Sequence, residues 1–126
     1  MEGKLIYPEL SYTIIGLAYE IFNEMGYGVR ERYYQESYAQ ALLSKGINFE
    51  RERFIVIKCK DKTVGKCFLD FVIDNKVIVE LKVRPRFGYT DIKQVMSYLK
   101  AANLKLAILI YFTREGVKFR RILNST

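Results

Sequence analysis

Asp70 and, ten positions later, Glu80-Leu81-Lys82 are the residues of this chain whose types and spacing could do chemistry. They interrupt two otherwise apolar stretches, Lys66-Cys67-Phe68-Leu69-Asp70-Phe71-Val72-Ile73 and Lys76-Val77-Ile78-Val79-Glu80-Leu81-Lys82-Val83, separated by Asp74-Asn75. β-Branched and aromatic residues on either side of a turn dipeptide predict a hairpin. Charged side chains inside such strands are costly to hold unless they bind something. Two carboxylates and an ammonium are what a divalent-cation site for phosphodiester cleavage requires. The carboxylate oxygens are hard ligands suited to Mg²⁺ or Mn²⁺, and a lysine can orient or deprotonate a water and offset phosphate charge. The pattern points to nuclease chemistry.

Spacing, not composition, makes the pattern informative. Glu-x-Lys alone says almost nothing, and the chain contains a second copy at Glu2-Gly3-Lys4. In a strand, however, positions i and i+2 share a face, so Glu80 and Lys82 converge while Val79, Leu81 and Val83 enter the opposite layer. The ordinary alternative is a strand with one solvated polar face. Asp70 adds a condition. A plain two-residue turn would pair Ile73 with Lys76 and set Asp70 opposite Val79, on the far face from Glu80 and Lys82. Shared use of the three groups demands a three-residue loop, Asp74-Asn75-Lys76, or a bulge near Asp70, so that Asp70 lies opposite Glu80.

The elements around the hairpin supply further candidates. Ile14, Ile15, Leu17, Ala18, Ile21, Phe22 and Met25 recur at helical spacing, Pro8 suits a first turn and Gly26 a stop, which predicts a helix over 8–25. A second helix is predicted from Arg30 to Ser44 and opens on Glu31, whose carboxylate also complements the helix dipole. Tyr33, Tyr34 and Tyr38 on it read as packing residues. Asn48 to Cys59 is a strand, Asp61-Lys62 a turn, and Pro85 ends the hairpin. Tyr89 to Asn103 is a third helix with Ile92, Val95, Met96, Leu99 and Ala102 toward the core; Gln94 and Tyr98, four residues apart beside that stripe, could face the sheet. Leu104 to Phe112 is an apolar run expected of a strand buried on both faces, and Val117 to Leu123 an edge-like strand. The order α-α-β-β-β-α-β-β predicts an α/β fold with a mixed sheet.

The 126 residues suit a single domain spanning 1–126, and half are hydrophobic, as expected of a globular chain. With no histidine in the sequence, Ser-His-Asp and Cys-His catalysis, histidine-based nucleases and histidine-containing zinc sites lack an essential residue. Cys59 and Cys67, the two cysteines, are not in Cys-x-x-Cys spacing and read as small core residues in a reducing compartment. No apolar run approaches membrane-spanning length and no signal-type block follows Met1, so a soluble, intracellular, cytoplasmic protein is the expectation. A net charge of +7 suits a polyanionic partner. Arg84, Arg86 and Lys93 fall near the site elements and, with Tyr98, are the candidate nucleic-acid contacts.

Gly28-x-x-Glu31-x-x-Tyr34, followed by Asp70, Glu80-x-Lys82 and Gln94-x-x-x-Tyr98 in that order, resembles the GxxExxY proteins, a branch of the PD-(D/E)XK nuclease superfamily. The resemblance covers about residues 10–123. It implies a restriction-endonuclease-like core of order α-β-β-β-α-β, metal-binding carboxylates at Asp70 and Glu80, and a catalytic lysine at Lys82. Glu31 resembles the extra first-helix carboxylate of the exonuclease and junction-resolvase branches, and Gln94 their helix-borne glutamine. Leu69 stands where the superfamily name has proline, a backbone feature and not a ligand.

The expectation is a Mg²⁺- or Mn²⁺-dependent nuclease that acts on DNA in preference to RNA, structure-selective or nonspecific, for which a homodimer could cut two strands. Glu31, Asp70 and Glu80 are the expected metal ligands. Lys82 would position the attacking water, Gln94 would orient Lys82 or the scissile phosphate, and Tyr98 would line the groove. The alternatives are a non-catalytic nucleic-acid-binding module and a regulatory interaction module of the same fold.

Overall fold

The computed structural model describes residues 6–124; Glu2-Gly3-Lys4 lies outside them. Three helices and five strands follow in the expected order: α1 (Pro8–Met25), α2 (Glu31–Ser44), β1 (Phe49–Cys59), β2 (Lys62–Ile73), β3 (Val77–Val83), α3 (Thr90–Ala102), β4 (Leu106–Thr113) and β5 (Gly116–Leu123). The strands form one sheet in the order β1-β2-β3-β4-β5. β3 and β4 are parallel and every other neighbouring pair is antiparallel. The parallel pair needs a crossover, and α3 provides it.

Alternation along the strands fills two cores, one on each face of the sheet. Val77, Val79 and Leu81 of β3, with Leu106, Ile108 and Ile110 of β4, pack against Ile14, Leu17, Tyr38 and Leu42 of α1 and α2. Ile78, Ala107 and Leu109 point the other way and pack on Val95 and Leu99 of α3. All eight residues of β4 are buried, as a central strand covered on both faces requires.

Two joints matter for the site. Gly28 has φ 102°, a left-handed backbone open to glycine, and lets the chain reverse between α1 and α2. Tyr34 then pins the start of α2: it is fully buried, stacks on Phe112 at 4.2 Å between ring centroids, and its hydroxyl donates to the Gly26 carbonyl. The Gly28-x-x-Glu31-x-x-Tyr34 spacing thus unites a turn, a carboxylate and an anchor on one helix entry.

The second joint is the β2–β3 hairpin. Its ladder pairs Ile73 with Val77, Val72 with Ile78 and Phe71 with Val79, leaving Asp74-Asn75-Lys76 as a three-residue loop. Asp74 and Asn75 adopt left-handed backbone, with φ 55° and 54°, which Asp and Asn tolerate better than most residues. The register is the one that shared use of Asp70 and Glu80 demands.

Several details depart from expectation. β2 begins at Lys62 instead of Lys66, so β1 and β2 form a long antiparallel arm turned at Lys60-Asp61, one residue earlier than predicted. Both turn residues have positive φ, the geometry a two-residue hairpin loop favours. Both cysteines are free thiols; Cys59 is exposed and fills no core, whereas Cys67 is half-buried and packs at the margin of the core under α3. Cys59 closes the arm beyond the reach of either helix layer.

Candidate active site

Just past the Phe71–Val79 pair, β2 and β3 stop exchanging backbone hydrogen bonds and begin to exchange side chains. The Glu80 carboxylate (Oε2) accepts the Asp70 backbone N–H at 2.9 Å, and the Asp70 carboxylate (Oδ2) accepts the Leu81 N–H at 3.0 Å. Each carboxylate therefore satisfies a donor that the opened ladder leaves without a carbonyl. The opening coincides with a distortion in the neighbouring strand. The β1–β2 register runs unbroken through Arg51–Phe71 and Arg53–Leu69 but skips Glu52–Asp70, and Glu52 has φ 53°. Phe71 packs toward α1 and α2, whereas Leu69, two residues earlier, packs toward α3. In a regular strand those two would share a face. Asp70 sits at the switch.

The two helix layers complete the cluster. Glu31, in the first turn of α2, reaches the far end of β3, where its Oε1 accepts the Val83 N–H at 3.3 Å. Gln35, one turn further along α2, stands beside the Asp70 carboxylate and favours its charged form. Lys82 follows Glu80 by two positions and is half-buried; its positive charge acts on both Asp70 and Glu80. Tyr98 of α3 lies beside the Cys67 thiol and feels the charges of Glu80 and Asp70. The expected residues Glu31, Asp70, Glu80, Lys82 and Tyr98 are therefore brought together.

Electrostatics mark the cluster as strained in its charged form. Burial, and then the charge of Asp70, pushes the Glu80 carboxyl up to about 8; only 4% of the residue is exposed. Asp70 is pushed up chiefly by burial, against which the Leu81 N–H and the Lys82 charge pull down. Burial likewise raises the Cys67 thiol and the Tyr98 hydroxyl. A compact group of carboxylates that resists ionisation invites a cation. Its donor set, all oxygen and without histidine or a close cysteine cluster, suits a hard ion such as Mg²⁺ or Mn²⁺. Among the described residues no three acidic, cysteine or histidine side chains form a ready-made cation cage. Each carboxylate holds a strand N–H with one oxygen, and among the described residues no strand N–H takes the other.

Other expected contacts lie further out. Gln94 is exposed on α3 and does not face the sheet. The stripe through Val95 and Leu99 sets the rotation of this helix, and at about 100° per residue Gln94 falls about 100° from Val95 whereas Tyr98 falls about 60° from it. Lys93 is exposed beside it. Arg84 donates to the Val83 carbonyl at 3.1 Å and stands 3.9 Å from Asp91, so it closes the end of β3. Arg86 lines a cleft with Pro85, Phe87, Arg114, Glu115 and Lys118. Gln35 escaped sequence reasoning. Its signal was the four-residue spacing from Glu31, which places both on one side of α2. A cleft of about 650 Å³ lies between β1 and α3 around Ile55, Ile57, Ser97 and Lys100, and no carboxylate lines it.

A five-stranded mixed sheet flanked by helices, in the order α-α-β-β-β-α-β-β, defines a restriction-endonuclease-like fold. The sequence matches the PD-(D/E)XK nuclease superfamily over residues 8–122, and the chain belongs to that superfamily. No curated protein matches it. Among solved structures, the crystal structure of SSO0001 is similar with a TM-score of 0.61 at 18% identity, over 95% of this chain and 58% of that one. The chain thus spans little more than half the length of that protein. An alkaline exonuclease (LHK-Exo) from Laribacter hongkongensis aligns with a TM-score of 0.47 at 8% identity, over 97% of this chain and 72% of the other. Among the described residues, no helix is long and apolar enough to cross a membrane.

Proposed function

We propose that this chain is a Mg²⁺- or Mn²⁺-dependent nuclease that hydrolyses DNA phosphodiester bonds, structure-selective or nonspecific, of the GxxExxY branch. The observation that carries the reading is the reciprocal bonding of Asp70 and Glu80 across the opened end of β2 and β3, with Glu31 and Lys82 beside them. Three carboxylates from three elements are held by backbone donors, so their positions are fixed before any ligand arrives.

Asp70, Glu80 and Glu31 would hold the ion through the oxygens not committed to strand N–H groups. Bound there, a divalent ion acidifies a water and offsets phosphate charge, which makes a histidine base unnecessary. Lys82 orients that water and opposes the charge that builds on the phosphate. Gln35 fixes the Asp70 carboxylate, a positioning role. Gln94, exposed on α3, meets substrate from outside instead of orienting Lys82, and Arg84, Arg86, Lys93 and Tyr98 border the path of the nucleic-acid backbone. A chain this small leaves little surface for reading sequence, and a homodimer would supply a second cutting centre for branched substrates.

One observation favours the rival reading of a non-catalytic module: all three carboxylates already have backbone partners and would stabilise the sheet without a metal. A cleavage panel of single-stranded, duplex, flapped and branched DNA, with RNA counterparts, in Mg²⁺, Mn²⁺ and EDTA separates the two. The parent protein cleaves only with metal; Glu80→Gln and Lys82→Ala lose that activity while keeping the parent's circular dichroism. Glu80→Gln is preferable to alanine because Ala leaves the Asp70 N–H without its acceptor, at a cost of about 1–3 kcal/mol. Undiminished cleavage in either variant removes the proposal.

A further inference from the structure

The arm formed by β1 and β2 is covered on one face only. Ile55, Leu69 and, partly, Ile57 and Cys67 point toward α3. The alternate positions Phe54, Val56, Lys66 and Phe68 therefore share the opposite face. Phe54 and Phe68 are directly paired across the two strands, with ring centroids 5.3 Å apart and planes inclined by 55°. Both rings are largely in solvent, 50% and 63% exposed. Each stands within the paired part of the ladder, away from the Lys60-Asp61 turn.

The placement of this pair is specific. Phe68 precedes Asp70 by two residues, about 7 Å of extended chain. Its face is the one on which α2 lies, and α2 is the helix that sends Glu31 and Gln35 to Asp70. α2 reaches the two strands at Arg51, Asp70 and Phe71, through Glu36, Gln35 and Tyr38, and the exposed rings of Phe54 and Phe68 lie beyond those contacts. The arm and the start of α2 both carry cations. Lys66 flanks the rings on the arm, and exposed Arg30 and Arg32 stand at the start of α2. Two open aromatic rings with Lys66 at their margin, two residues from a carboxylate suited to phosphodiester hydrolysis, form a combination that suits single-stranded nucleic acid. Bases offer π-faces to the rings while phosphates meet the cations. A paired duplex offers no free base face to stack on, except at an end.

We propose that the open face of the β1–β2 arm, led by Phe54 and Phe68, is a stacking platform for unpaired bases of single-stranded DNA entering the carboxylate cluster. The inference deepens the nuclease reading and rests on it for the direction of entry. It makes the enzyme selective for single-stranded segments, such as those at flaps, ends and branches, and directs the chain past Asp70.

Binding can be measured apart from cleavage. Fluorescence anisotropy with a labelled 15-nucleotide single strand and with the blunt duplex of the same sequence, both in EDTA, compares the parent with Phe54→Ala, Phe68→Ala, the double variant and Phe68→Leu. Both rings are exposed, so the variants keep the parent's fold and melting behaviour. Each alanine variant loses roughly tenfold in affinity for the single strand, in line with the effect of removing one stacking residue, and less than about twofold for the duplex. Phe68→Leu keeps apolar area but lacks a flat face, and fails like alanine; Phe68→Tyr restores binding. Equal single-strand affinity in the double variant overturns the proposal. So does rescue by Phe68→Leu together with a shift from dimer to monomer in the double variant by sedimentation, which assigns the face to a second copy of the chain. The cleavage panel fails separately. Ring-dependent binding by a protein that cuts nothing removes the nuclease reading and keeps the platform. Metal-dependent cutting indifferent to both rings does the reverse.

Discussion

The two ends of the β2–β3 hairpin are built from the same strands under opposite rules. At the closed end, Ile73 and Val77, Val72 and Ile78 pair through backbone hydrogen bonds, and all four side chains are buried in one core or the other. At the open end the backbone pairing stops, carboxylates take over as acceptors, and burial acts on charge. The closed end gains stability from removing apolar surface from water. The open end holds ionisable groups where ionisation is penalised. The ladder between them is three residue pairs long. A stable hairpin and a site able to bind a cation are thus separated by one step in register, and the first supplies the rigidity that the second needs.

Substitutions that exchange the roles of the two ends test the comparison. The largest effect belongs to Asp70→Asn. Cleavage falls by roughly a thousandfold or more, the scale of losing a principal electrostatic contributor. In EDTA the variant melts at or above the parent temperature, because a neutral amide oxygen still accepts the Leu81 N–H and a buried charge is gone. A variant clearly less stable than the parent without metal would make Asp70 a structural residue. At the closed end, Ile73→Ala shows the reverse profile. Denaturant melts should register a loss of about 2–5 kcal/mol, the usual cost of truncating a buried aliphatic side chain, while cleavage per folded molecule, assayed well below the midpoint, changes little.

A pH series gives a smaller effect with a defined sign. The Glu80 carboxyl rises from 4.5 to about 8 on folding. Between those values the folded chain holds a proton that the unfolded chain has released. The metal-free protein therefore loses stability as pH rises through this window and levels off above it. Asp70, also raised, acts in the same direction. Each tenfold difference in proton affinity is worth about 1.4 kcal/mol, so the total is on the order of a few kcal/mol. Urea melts at pH 5 and pH 8 in EDTA should show it, Glu80→Gln should lose most of it, and Mn²⁺ should flatten it by competing with the proton. Smallest of all, Gln94→Ala should leave stability within about 0.5 kcal/mol of the parent, as exposed positions do. A larger loss would mean that α3 turns this side chain inward.

The element order and the hairpin register were legible in the sequence because each follows from a local rule. Apolar periodicity places the helices, and the need for Asp70 and Glu80 to meet selects the three-residue loop over the two-residue one. What escaped was non-local. The face switch at Asp70 is shared with Glu52 on the neighbouring strand, and no pattern within β2 alone announces it. Gln35 looked like one more polar residue on a solvated helix face until α2 was set against β2 and β3. Gln94 was drawn inward by its spacing from Tyr98, yet the apolar stripe of α3, not that pair, fixes the helix rotation. The arm extended further than its apolar content suggested because Lys62, Thr63 and Lys66 pair through backbone groups, which are indifferent to side-chain polarity.

The joint at the start of α2 has a consequence for how this chain can change length. Glu31 and the anchor Tyr34 lie on one helix, so the offset between them is set by helix pitch and not by a loop. Inserting one residue between them would turn Glu31 by about 100° around the axis and carry it away from the Val83 N–H, while Tyr34 stayed seated on Phe112. Residues could be added at the Lys60-Asp61 turn, far from any carboxylate, with no such rotation. Insertions and deletions should therefore be tolerated at the tip of the arm and be fatal to the site within a single turn of α2.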